Sequence, residues 1–185
     1  LHANAGNTPS FALTFRVKDD GLTANLGQDT DTTTRTMSFA VAAKNDAPIG
    51  TPQTRPILED AAYTLAAADF PFVLANDPAD FPNHGLLAVK ITSTPLGGKL
   101  FNGTTEVIGT VASPVVIPLV NIASGQVRFV PNQDANGPAA NFGFNFRIQD
   151  DGGTANLGAD TDAADRSFSL AVTSVNDAPN GPNNT

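Results

Sequence analysis

Apolar and polar residues alternate along most of this chain with a period of two. Phe11, Leu13, Phe15 and Val17 stand at every second position, as do Met37, Phe39 and Val41. The pattern returns at Phe142, Phe144, Phe146 and Ile148, and again at Phe168, Leu170 and Val172. Between these blocks, Tyr63 with Leu65, then Leu87, Val89 and Ile91, then Val127 with Phe129 keep the same period. Successive strand side chains point to opposite faces, so each run predicts a strand with one buried face. Asn102-Gly103, after the short run Lys99–Phe101, predicts a hairpin turn. No stretch holds a capped 3.6-residue pattern, so no helix longer than about two turns is expected. About seven short strands broken by turn residues predict an all-β, antiparallel sandwich of the immunoglobulin-like kind.

The pattern is also duplicated. Residues 11–50 align without a gap onto residues 142–181, at an offset of 131, with 23 identities in 40 positions. The shared core reads DDG at Asp19–Gly21 and Asp150–Gly152, then TANLG, then DTD at Asp29–Asp31 and Asp160–Asp162. It closes with NDAP at Asn45–Pro48 and Asn176–Pro179. Residues 1–48 therefore read as the C-terminal part of one repeat, 49–180 as one complete repeat and 181–185 as the start of a further linker. A longer parent chain with more copies is implied, its function belonging to the array. The first repeat carries only its last two strands. Two strands alone are marginal in water and expose unpaired edges, so this segment is expected to lack order or to pair with another chain by strand addition.

Composition narrows the class. Of 18 acidic residues, 16 are Asp, which favours turns and hard-cation sites over helical surfaces. A net charge of −8 argues against nucleic acid as a partner, because phosphate binding needs basic patches. No run of about 18 apolar residues exists, so no membrane span is expected. The absence of cysteine is neutral on compartment. The N-terminus carries no basic-then-apolar leader pattern, which places any export signal outside this segment.

The candidate chemistry lies in acidic loops. The loop joining the last two strands holds Asp150, Asp151, Asp160, Asp162 and Asp165, with no basic residue within its span. Such carboxylates repel one another unless open solvent or a cation separates them. A solvated turn-rich loop and a bound Ca²⁺ with six to eight oxygen ligands both answer that repulsion. Asp19 and Asp20 repeat the motif in the first copy. A second stretch, Asp77 and Asp80, is expected at the same pole, where Asn45-Asp46 brings the chain in. Glu59 and Asp60 are expected at the opposite pole, beside the exit segment Asn176-Asp177.

These features together resemble the cadherin-like repeats of large bacterial calcium-dependent adhesins. The resemblance rests on VNDAP at Val175–Pro179, on Leu58-Glu59-Asp60 and on an Asp-rich loop before a V-x-I strand. In cadherins a linker with Asn and Asp, a glutamate near the end of the first strand and a D-x-D loop jointly hold Ca²⁺. Asn45-Asp46 and Asn176-Asp177 match the linker, Glu59 the glutamate, and Asp77 with Asp80 loosely the D-x-D. The linker here lacks the second Asn, the acidic loop has two residues between its aspartates, and DDG…DTD is not a cadherin element.

The function expected is a calcium-binding extracellular module of a long adhesin or surface protein, serving as a rigid extender or adhesion element. Its partners would be neighbouring repeats of the same chain, other chains reached by strand addition, and a cell-surface protein or glycan. A subunit of an extracellular filament or surface layer, and a carbohydrate-binding module, are the alternatives. Sugar sites use exposed aromatic platforms, and this chain has no Trp and one Tyr. Neither His2 nor His84 lies in a zinc spacing, and no nucleophile elbow, P-loop or H-E-x-x-H occurs, so no enzyme is expected.

Overall fold

A computed structural model of the chain describes residues 10–40, 44–74 and 84–177. In the first repeat, β1 (Ser10–Phe15) and β2 (Arg35–Ala40) form an antiparallel pair, in register from Ser10 opposite Ala40 to Phe15 opposite Arg35. No third strand joins them among the described residues. Pairing within the chain gives this segment its hairpin form. Its apolar face is open: Phe11, Leu13, Phe15, Val17, Met37 and Phe39 are all exposed.

The second repeat supplies what the first lacks. Its strands run β3 (Pro48–Gly50), β4 (Gln53–Leu58), β5 (Tyr63–Thr64), β6 (Phe72–Leu74), β7 (Leu86–Ile91), β8 (Gly98–Asn102) and β9 (Thr105–Glu106). After them come β10 (Val115–Pro118), β11 (Val127–Pro131), β12 (Gly143–Asp150) and β13 (Arg166–Thr173). One α-helix, α1 (Leu119–Ala123), interrupts them, so the protein is all-β as the period predicts. Five strands form one sheet in the order β10-β7-β12-β13-β4, and four form another in the order β5-β11-β8-β9. Pairing is antiparallel except between β13 and β4, which run parallel. The short strands β3 and β6 pair separately, drawing Pro48 and Gly50 into this unit.

Both sheets feed one core. Val89, Ile91, Phe146, Ile148, Phe168 and Leu170 come from the larger sheet, and Leu100, Val127 and Phe129 from the smaller. Phe144 stacks on Phe168 with ring centres 5.3 Å apart, and Phe70 meets Phe146 edge-on at 5.1 Å. The counterparts of Phe144, Phe146 and Phe168 in the first repeat are Leu13, Phe15 and Met37, which have no such cover.

The alternation fails in one place. Leu87 shares the parity of Val89 and Ile91, yet it is exposed. A bulge lies there, since Gln149 faces Ala88 while Asp150 faces Leu86. An extra residue in one strand reverses the facing of the residues beyond it, so Leu86 takes the inward place. The hairpin at Asn102 forms as expected, with Asn102 opposite Thr105 and Gly103 at φ +61°. No helix among the described residues is long and apolar enough to cross a membrane.

Candidate functional site

The loop between β12 and β13 is built by its own aspartates. Asp150 Oδ1 accepts the Gly152 N–H at 3.0 Å, and Asp162 Oδ1 accepts the Ala164 N–H at 3.0 Å. Short Asp side chains make such local turns readily. Between them, Gly158 N–H reaches Ala155 O at 2.9 Å, closing a turn in which Asn156 and Leu157 take left-handed φ of 54° and 64°. The backbone locks the base of the loop, with Asp150 N–H on Asp160 O and Asp162 N–H on Ile148 O, both at 2.9 Å.

Into this loop the linker inserts Asn45. Its side chain is 4% exposed. The Nδ2 amide donates to Asp150 Oδ1 at 2.9 Å, Ala159 O at 2.9 Å and Gly153 O at 3.1 Å. The Asn45 carbonyl accepts the Ala159 N–H at 2.9 Å. A Cβ on Gly152 would run into the Asn45 carboxamide, which explains glycine at that position. Five residues on, Gly50 N–H donates to Asp162 Oδ2 at 2.8 Å. A Cβ on Gly50 would press on Ile148 and Arg166 at 3.0 and 3.1 Å. The two ends of the Asn45–Gly50 segment are thus held by the two aspartates that shape the loop.

The electrostatics differ from the expected unneutralised loop. Arg166, one residue past its end, folds back so that Nε meets Asp162 Oδ2 at 2.8 Å and Nη2 meets Oδ1 at 3.1 Å. Burial opposes ionisation of Asp162, but Arg166 and the Ala164 and Gly50 N–H groups together hold its carboxyl below the usual range. Arg147 pairs with Asp165 at 2.7 Å. Asp160 accepts from Gln149 and Thr161, and Lys90 in turn donates to Thr161. Asp151 accepts the Gly85 N–H at 2.7 Å and lies 3.5 Å from His84 Nδ1. Asp150 is the exception. Burial pushes its carboxyl up, and the Asn45 amide, the Gly152 N–H and His84 offset this only in part.

Among the described residues, Asp150 Oδ2 and Asn45 Oδ1 are buried without a partner. Two oxygens fall well short of a calcium shell. Among the described residues, no three His, Asp or Glu side chains converge as a metal site. Asp77 and Asp80 lie outside the described residues. Asp46 is half-buried at the linker.

The opposite pole collects the remaining acids. Since β4 and β13 run parallel, Glu59 and Val175 leave them together, roughly 25 Å from the loop along eight strand residues. Glu59 is buried and accepts the Val175 N–H at 2.7 Å and the Asn136 amide at 2.8 Å. Burial, then the charges of Asp177, Glu59 and Asp134, raise the Asp60 carboxyl. The expected grouping of Glu59 and Asp60 with the exit segment is therefore present. Asn176 and Asp177 are exposed. Asn136 and Asp134 carry no sequence signal for this pole, because the loop that holds them is distant in the chain.

The first repeat reproduces the turns of this loop. Asp19 Oδ1 accepts Gly21 N–H at 3.0 Å, Asp31 Oδ1 accepts Thr33 N–H at 2.8 Å, and Arg35 Nε meets Asp31 Oδ2 at 2.9 Å. Asn25 and Leu26 repeat the left-handed φ at 57° and 67°. Asp20 is exposed beside it. The lone tyrosine offers no sugar platform: Tyr63 packs on Phe168 and donates its hydroxyl to Asp69. Comparisons with family models, curated proteins and solved structures find no match to this chain.

Proposed function

We propose that this chain is a non-catalytic module of a long extracellular tandem array, an extender or adhesive element of cadherin-like type. The observation that carries the reading is Asn45, which ends the first repeat's motif and is buried in the loop of the second. A side chain so held fixes where the linker meets the next sandwich, which is what a stiff array requires. Calcium enters this reading at the exit pole. The charges of Asp177, Glu59 and Asp134 bear on Asp60 there without forming a metal site by themselves, so an ion relieving that repulsion would take its remaining ligands from a following repeat. A ligand set shared by a linker and its domain favours the straight form by differential affinity.

Small-angle scattering of a chain with two complete repeats tests this. With millimolar Ca²⁺ it should show a longer and narrower length distribution than with EDTA, and Asp60→Asn with Asp177→Asn should erase the difference. Replacing the junction asparagine by alanine should broaden the distribution in both buffers. Identical dimensions in both buffers would remove calcium from the mechanism, and no broadening in the asparagine variant would remove the rigid junction.

A further inference from the structure

A cavity of about 460 Å³ opens on the outer face of the larger sheet of the second repeat. It shares no residue with the linker contacts at either pole, and all its walls belong to one repeat. Its floor is backbone. Asn145 faces Ser167 and Gly143 faces Ser169 across β12 and β13, with Phe144 and Phe168 turned into the core between them. Gly143 stands at φ +140°, and a Cβ there would strike the Phe168 carbonyl, so no side chain fills the floor. One wall rises where the chain leaves β7. Thr92 N–H reaches Asn145 O at 2.9 Å, and Leu96 and Gly143 exchange backbone hydrogen bonds at 2.7 and 3.1 Å. Ser93, Thr94 and Pro95 therefore stand opposite Phe144 alone, and the excess residues are lifted off the sheet. The Ser93 hydroxyl accepts the Asn145 N–H at 2.8 Å and pins this excursion.

We infer that this cleft is a binding site for a neutral sugar unit. Its polar side chains are Ser93, Thr94, Asn145, Ser167 and Ser169, and no charged residue lines it. Hydroxyls and carboxamides both donate and accept, which suits a ligand built of hydroxyl groups, whereas an ion would find no counter-charge. Among the described residues, Ser93 alone of the five is engaged through its side chain, so the others keep their bonds for a ligand. Leu96, 58% exposed, and Ala140 add apolar surface for the carbon face of a sugar ring. A strand from another chain does not fit, because β12 is paired on both sides and offers no free edge. The volume lies within the range of small-ligand sites, about 300–1,000 Å³. With no aromatic platform one site binds weakly, and a run of complete repeats would compensate by multivalency. The site belongs to a single repeat and needs neither calcium nor the Asn45 junction, so its test is separate from theirs.

The test titrates the full chain, followed by nuclear magnetic resonance, with the methyl glycosides of glucose, galactose and mannose. At least one should give saturable amide shifts at residues 93–96, 143–145 and 167–169, at a concentration on the order of 10 mM. Residues 12–14 and 36–38 are the internal control. The first repeat keeps Thr14, Thr36 and Ser38 at the floor positions but has no wall like Ser93–Leu96 among the described residues. The uronic acid of whichever sugar binds should bind at least about tenfold more weakly, since its carboxylate meets no counter-charge. Asn145→Ala combined with Ser167→Ala should weaken sugar binding at least about tenfold. The same variant should melt where the parent chain does, because both side chains are exposed. Shifts that stay linear with every sugar, or that appear equally at residues 12–14 and 36–38, would overturn the inference. So would equal binding of the uronic acid, or undiminished binding by the folded double variant.

Discussion

Replacing Asn45 by alanine is expected to lower the melting temperature of the second repeat by about 10 °C. The amide donates to one oxygen of a buried carboxylate and to two carbonyls. Losing the donor to two carbonyls and leaving the carboxylate with the Gly152 N–H costs about 3 kcal/mol, and a unit of this size loses about 3 °C per kcal/mol. Calorimetry on the two chains measures it. Asn176→Ala is the matched control, because the same motif residue is exposed at the other end and its loss should leave the melting unchanged. The deficit should also depend on pH. A carboxyl whose folded-state pKa is raised, as that of Asp150 is by burial, holds its proton more readily folded than unfolded. The stability it contributes is present at low pH and lost as pH rises through the raised value. Without Asn45 the charged form is poorer still, so the deficit is largest near neutrality and narrows in acid. Equal melting of the Asn45 and Asn176 variants would mean the linker is not held.

The second large effect compares one repeat position in two settings. Phe146 is 0% exposed and its counterpart Phe15 is 38% exposed. Phe146→Ala removes a ring that meets Phe70 edge-on within the core, and should cost about 4 kcal/mol. Phe15→Ala should leave the main melting transition where it is, because among the described residues the face that carries it packs against no second sheet. Denaturant titrations of the two variants decide the point. If Phe15→Ala were as costly as Phe146→Ala, the first hairpin would be burying its apolar face in solution.

The difference between these two phenylalanines shows where the sequence could and could not be read. Alternation marks both as inward-facing, and it does so correctly for the position in a complete repeat. It carries no information on whether the opposing sheet is present. Leu87 was legible as part of a strand but not as an exposed residue, since a bulge adds one residue without leaving a composition signal. The parallel pairing of β13 with β4 is likewise silent in a period of two.

The site divides in the same way. The duplication picks out Asn45, Asp150 and Asp162, because DDG, DTD and NDAP stand at the same offset in both copies. What they do to one another was not legible. Asn45 and Asp150 are 105 residues apart, and an asparagine beside aspartates suggests a shared cation as readily as an amide donor. Arg166 stood one residue outside the acidic span, and its backward reach to Asp162 depends on a turn at Ala164. One signal could have found the clamp. Gly50 and Gly181 are identical in the aligned repeats, and a retained glycine beside a retained asparagine points to close backbone approach.

The buried asparagine junction is tested most directly by side-chain amide hydrogen exchange, followed by nuclear magnetic resonance on the intact chain. The Asn45 Nδ2 protons should exchange at least about a hundredfold more slowly than those of Asn176, since release from the loop costs about 3 kcal/mol. Asn45 and Asn176 amides exchanging at the same rate would show that the linker lies free of the loop, and the junction described here would not exist.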